Sequence, residues 1–285
     1  MKYCLNYRPA HTEIMKQADE LNIRYNKKDL TLVNFLEEYK DKRVNIYIED
    51  IEDFRTNQEL KKFEGIRESY PEYNFYFKLS EYNEDLIQEL KEKGFKYYIS
   101  LFVNDWDVFR GLIKEGVSDI YVVENLAFEL DKCAEIAHEN GVNIRIFPNI
   151  AQCKWTKSTG LKSFFVRPED IIQYEPYVDI IEFMCDPSRE YVYFDIYKND
   201  KLWYGQLNEL ISGLDSDIDS RFIVPRFAET RIKCGKACLK GGRCSMCDTI
   251  EHLSKTLKDR ELMVTMEQIE NEPIEEEEFD NIKKL

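Results

Sequence analysis

The stretch "KYYISLFVNDWDVFRGLIKEGVSDIYVVE", residues 96–124, decides the reading of the fold. It starts with a β-branched and aromatic run (96–103). An amphipathic stretch (105–116) follows and closes on Gly116, a helix-stop signal. A second apolar run then appears at 118–124. Strand, helix and strand within 29 residues make one βαβ unit, whose two strands must run parallel.

Outward from there the unit recurs. Upstream, strands are expected at 2–7, 23–26, 43–49 and 74–80, with helices at 12–21, 30–40, 57–70 and 83–94. Downstream, a helix at 128–141 ends on Gly141, and strands follow at 142–149, 162–167 and 178–184. Pro168 stands where a helix would begin. So many consecutive units favour a (β/α)8-type barrel, with an open doubly wound sheet as the rival. No GxGxxG lies at a strand-to-helix turn, so the common dinucleotide fingerprint is missing. Past 185 the pattern is mixed: 191–214 reads as helical for much of its length, and "RFIVPRF" (221–227) as a further buried strand. The expected organisation is a barrel over 1–230, a cysteine-rich segment with a helix over 231–262, and an acidic tail over 263–285.

The chain has 285 residues, 43% of them hydrophobic, and a net charge of −15. That charge argues against bulk nucleic-acid binding, which needs a basic surface. Part of it is local: from Glu261 to Leu285 there are nine acidic residues and two lysines. No apolar run reaches the ~18 residues of a membrane-spanning helix, and no signal peptide opens the chain, so a cytoplasmic protein is expected.

"IKCGKACLKGGRCSMCD" (232–248) holds four of the eight cysteines: Cys234, Cys238, Cys244 and Cys247. Their C-x3-C-x5-C-x2-C spacing lets four thiolates close on one centre. In a reducing compartment such clusters are more often metal ligands than disulfides. Zinc and an iron–sulfur cluster both fit. Lys233, Lys236, Lys240 and Arg243 would offset the thiolate charge. The CxxxCxxC of radical-SAM enzymes is absent from the first strand, where only Cys4 lies.

Residues directly after the expected strands would form the mouth of a barrel. They are Asn6, Arg8, Glu49, Asp50, Lys78, Asn104, Asp105, Glu124, Asn125, Asn149, Gln152, Arg167, Glu169, Glu182, Arg226 and Glu229. The same residue types also cap helices and turns. Glu124, Arg167, Glu182 and Arg226 stand out as charges flanked by apolar runs, with Arg167 expected to pair with Glu124 or Glu182. The histidines, His11, His138 and His252, form no recognisable triad, and Cys153 reads as an ordinary thiol.

"FFVRPEDIIQYEPYVDIIEF" followed by "EYVYFDIYKNDKLW" resembles the late barrel of the peptidase U32 family. The resemblance covers about fifty residues, 162–210. The family's "KIEGR" is replaced, since Phe183, Met184 and Cys185 follow Glu182. It implies a barrel, and an iron–sulfur cluster of the kind some members carry, without a protease or hydroxylase assignment. Two functions follow from these readings. One is a metal-binding barrel enzyme acting on a small polar or nucleic-acid-derived substrate, with the cysteines folded over the mouth. The other is a non-catalytic binding or assembly protein, of the kind phages and mobile elements encode. There a zinc knot is a structural staple, and the acidic tail meets a protein partner.

Overall fold

The computed structural model describes residues 1–25, 32–151, 161, 163–186, 188–199, 203, 205–214, 218–220, 223, 226–234 and 246–252. Its strands are β1 (Lys2–Asn6), β2 (Glu20–Arg24), β3 (Arg43–Ile48), β4 (Phe75–Leu79), β5 (Tyr97–Ile99), β6 (Phe102–Val103), β7 (Asp119–Val122), β8 (Asn143–Ile146) and β9 (Ile180–Glu182). All pairings are parallel, in the order β5-β4-β3-β2-β1-β9-β8-β7-β6. The two ends of that order, β5 and β6, are halves of one stretch of chain broken only at Ser100 and Leu101. The Ser118 N–H, just before β7, also donates to the Tyr97 carbonyl of β5 at 2.8 Å. The sheet therefore meets itself and closes into a barrel of eight staves, one of them interrupted.

The pleat sorts side chains between two cores. Leu5, Leu21, Val44, Ile46, Phe77, Ile120, Ile144 and Ile181 point outward and are buried under helices. Phe54 and Phe63 from the helices Ile51–Thr56 and Leu60–Ser69 pack there on Phe77, with ring centroids 6.0 and 5.0 Å from it. Helix Trp106–Glu115 begins with Asp105, whose carboxylate accepts from the N–H groups of Asp107 and Val108. It ends on Gly116 at φ 75°, a left-handed position where a side chain is strained. The inward positions form a different population, described below.

Several boundaries differ from the sequence reading. The helix expected over 12–21 stops at Met15. Asp19 then binds the backbone of Tyr3 in both directions, and Glu20 enters the sheet. The helix expected over 57–70 begins only at Leu60, after Gln58 at φ 52°. Residues 163–167 add no stave to the barrel, because β8 pairs directly with β9. Most of the stretch expected as a strand over 221–227 lies outside the described residues, and a helix runs over Arg226–Ile232. Helices Glu190–Lys198 and Leu207–Leu210 share the stretch after β9. The tail, 263–285, lies outside the described residues. No helix among the described residues is long and apolar enough to cross a membrane.

Candidate functional site

Alternate residues of the strands face the barrel interior, and here they are polar. Register places Cys4 opposite Glu20 and Glu182, Glu20 opposite Arg43, Asn22 opposite Asn45, and Tyr121 opposite Arg145. A barrel of this type is usually filled by branched apolar side chains. This one holds Glu20, Arg43, Asn45, Lys78, Asp119, Arg145 and Glu182, all buried.

The charges form two connected groups. Toward the strand N-termini, Arg43 forks onto Asp119, with Nη1 donating to Oδ1 at 3.0 Å and Nη2 to Oδ2. Arg145 donates to Glu20 at 2.5 Å and lies 3.3 Å from Asp119. Its guanidinium also stacks 4.6 Å from the Tyr98 ring centroid, and that of Arg43 lies 3.6 Å from Tyr76. Burial alone would raise the Asp119 carboxyl, but Arg145 and Arg43 outweigh it and hold it at about 2.

Toward the mouth, Lys78 of β4 donates to Glu182 Oε1 of β9 at 2.7 Å. Asn22 donates to the same oxygen at 2.9 Å. The Tyr121 hydroxyl donates to Oε2 at 2.6 Å, and Arg145 reaches that oxygen at 3.5 Å. Burial pushes the Glu182 carboxyl up, yet the charges of Lys78 and Arg145 and the bonds from Lys78 and Tyr121 keep it below the ordinary range. The Tyr121 hydroxyl is pushed well up by burial and then by Glu182, so it stays a donor. Asn22 also donates to Asn6 at 3.3 Å, and Asn6 donates to Glu190 Oε1 at 2.8 Å. Glu190 is buried, and its carboxyl is raised to about 7 by burial, with Glu182 adding to the effect. Two carboxyl groups thus sit near each other with opposite shifts, the arrangement that lets one act as base and the other as acid.

Of the residues singled out from sequence, Glu182, Lys78 and Asn6 come together here. Arg167 does not pair with Glu124 or Glu182. It forks onto Asp170 at 2.6 and 2.8 Å, and its Nη1 donates to the Ser220 carbonyl at 3.0 Å and lies 3.0 Å from Glu169. Pro168 opens a 3-10 turn that brings Asp170 under the guanidinium, so Arg167 is a clamp between chain segments. Glu124 lies two residues past β7 at φ 48° and accepts from Asn104 at 3.0 Å. Arg226 opens a helix instead of ending a strand. Asp50 and Asp105 cap helices, and Asn149 bonds the backbone of Met184 in both directions.

Sequence reasoning missed Glu20, Arg43, Asp119, Tyr121, Arg145 and Glu190. The first five carried a signal: polar residues at every second place of strands that are apolar between them, as in "RVNIYI" and "NIRI". Glu190 carried none, since it follows a loop and looks like any acidic residue in a first helical turn.

Cys238 and Cys244, like Cys153 and Gln152, lie outside the described residues. Cys234 and Cys247 are half-buried. Cys247 lies 3.5 Å from the Leu161 carbonyl, which also accepts from Arg231 at 2.5 Å. Burial lowers the Arg231 guanidinium, and the thiols of Cys247 and Cys234 both act on it in the opposite direction. Cys234 opens on a groove of about 550 Å³ shared with Gln173, Tyr177 and Glu229. Tyr177 precedes β9, so this thiol lies on the flank of the barrel instead of over the mouth. Among the described residues, no group of three or more His, Cys, Asp or Glu is placed to hold a metal ion.

No family model matches the sequence, and no curated protein matches it. Among solved structures the chain is similar to 3-hexulose-6-phosphate synthase from Salmonella typhimurium. The identity is 12% and the TM-score 0.40, over 70% of this chain and 100% of that one. At that level the likeness carries no argument, and the barrel stands on its own strand register.

Proposed function

We propose that the chain is a barrel enzyme that binds a small polar substrate at the strand C-termini and moves a proton there. The observation that carries this reading is the buried Lys78–Glu182 pair, 2.7 Å apart on β4 and β9. An ion pair in a core stabilises no better than well-packed apolar side chains, so stability alone is a poor reason for it. Placing charged side chains at the C-terminal ends of barrel strands is how such folds build active sites. In this reading the Lys78 ammonium stabilises negative charge that develops on a substrate oxygen. Glu182, already ionised, accepts the proton, and Tyr121 and Asn22 hold it in position.

The test is a thermal-shift screen of sugar phosphates, nucleosides, amino acids and hydroxy acids. It uses the wild type, Lys78→Met and Glu182→Gln. A ligand that stabilises the wild type and neither folded variant supports the reading. Ligands indifferent to both substitutions, or none across the panel, would overturn it.

The four cysteines support a second, separable reading: a thiolate site for zinc or an iron–sulfur cluster. It is favoured by the convergence of Cys234 and Cys247 on Arg231 from opposite sides of the segment 235–245. The late-barrel resemblance to the peptidase U32 family points the same way. A flank position suits a staple, which also accords with the alternative binding or assembly role. Metal analysis of anaerobically purified wild type and Cys247→Ser decides it. One zinc, or iron with sulfide, lost in the variant is the expected result; a metal-free wild type removes the site.

A further inference from the structure

Glu190 opens the helix Glu190–Lys198 and is only 2% exposed. Asn6 occupies one of its oxygens twice, donating to Oε1 from its backbone N–H at 3.0 Å and from Nδ2 at 2.8 Å. The other oxygen, Oε2, is buried without a hydrogen-bond partner among the described residues, and so is Nε of Arg8. These two atoms face each other at 3.8 Å, too far for a direct bond. A buried acceptor and a buried donor left side by side each lose the bonds that water gave them in the unfolded chain. The gap adjoins the central pair, because Asn6 accepts from Asn22, which donates to Glu182.

Two apolar side chains are exposed at the same end of the barrel. Phe102 and Met184 occupy inward-facing positions of β6 and of the residues after β9, yet they are 47% and 37% exposed. Phe102 is held edge-on against Tyr121 and Phe147, at 6.1 and 5.3 Å between centroids. Tyr121 and Phe147 are themselves stacked at 5.1 Å. A fixed, half-exposed ring at the rim offers a surface to a flat ligand.

We propose that the mouth takes a planar heterocycle with a lactam edge, of the nucleobase class, its N–H donating to Glu190 Oε2 and its carbonyl accepting from Arg8 Nε while the ring lies against Met184 and Phe102. The inference rests on the mouth being the ligand site. A lone hydroxyl would fill the gap and leave Phe102 and Met184 bare. A phosphate would set its charge against Glu182 and Glu190. The lactam edge supplies one donor and one acceptor side by side, and the ring covers those two side chains.

The experiment is isothermal titration of the full chain with uridine and inosine. The controls are 3-methyluridine, which lacks the N–H, and ribose 5-phosphate. Uridine or inosine should bind, with 3-methyluridine weaker by roughly tenfold or more, since a site built to bond an N–H rejects the analogue without it. Arg8→Leu and Phe102→Ala, each checked for an unchanged circular-dichroism spectrum, should weaken binding to a similar degree. Failure of both nucleosides to bind, equal binding of 3-methyluridine, or indifference to Arg8→Leu would overturn the inference and leave the gap to a bridging water. If ribose 5-phosphate binds through Lys78 while the nucleosides do not, the lactam site falls and the reading of the mouth stands. Ligands indifferent to both Lys78 and Arg8 would remove both.

Discussion

At the scale of single residues, the interior charges depend on one another. Each of Lys78, Arg145 and Arg43 neutralises a carboxylate that has no water to turn to. Removing one partner strands the other, so Lys78→Met or Arg145→Met should cost about 3–5 kcal/mol in urea denaturation. Replacing Lys78 and Glu182 together by Met and Leu should cost less than Lys78→Met alone, because no charge is left unpaired. The two shifted carboxyls act in separate pH windows and with opposite sign. Glu190 is raised from 4.5 to about 7. Its stabilising contribution, of order 3 kcal/mol, is complete below about pH 4.5 and is lost as pH rises through 7. Asp119 is lowered from 3.8 to about 2, so its contribution is present above 3.8 and lost as pH falls toward 2. Glu190→Gln should therefore flatten the neutral-side slope of stability against pH, measured by urea midpoints from pH 5 to 8. Asp119→Asn should leave that slope unchanged.

At the scale of elements, caps and stops were legible and breaks were not. Asp105 and Gly116 frame their helix in the structure as they do in the sequence. Asp105→Ala should cost about 1 kcal/mol through its lost cap bonds. Gly116→Ala should cost a similar ~1 kcal/mol through its left-handed backbone, both read as shifts in the denaturant midpoint. The stretch 12–21 has helical periodicity, but Asp19 and Glu20 are claimed by the sheet and by Arg145. The stretch 162–167 has strand composition, but its last residue, Arg167, is committed to Asp170 and Ser220. Local propensity loses in each case to a partner distant in sequence, which no window can see.

For the whole molecule, the closed ring has two cores of opposite character. The outer one, between sheet and helices, is apolar and continuous. The inner one is a charged lattice around a small aromatic cluster of Tyr98, Tyr121 and Phe147. Because six of the eight staves contribute a charge to that lattice, acid should act on the barrel as a unit. Protonating Asp119 and Glu182, both held below their ordinary range, uncouples β7 and β9 from β3, β4 and β8 at once. We expect a single cooperative acid transition, with near-ultraviolet and far-ultraviolet circular dichroism changing together.

The sequence by itself determined the parallel α/β order, the helix stops at Gly116 and Gly141, and the mouth residues Asn6, Lys78 and Glu182. Those follow from period, capping chemistry and the place of a residue after an apolar run, all of them local. It also held the alternation of polar and apolar residues in the strands, which has meaning only once both faces are known to be enclosed. Tertiary structure alone decided that the sheet closes through the broken stave at 97–103. It also decided that Arg167 is a clamp, and that Glu190 and Arg8 meet beside the central pair. Those outcomes depend on contacts between segments up to 184 residues apart, and their energy comes from enclosure, which removes water from charges that would otherwise remain independent.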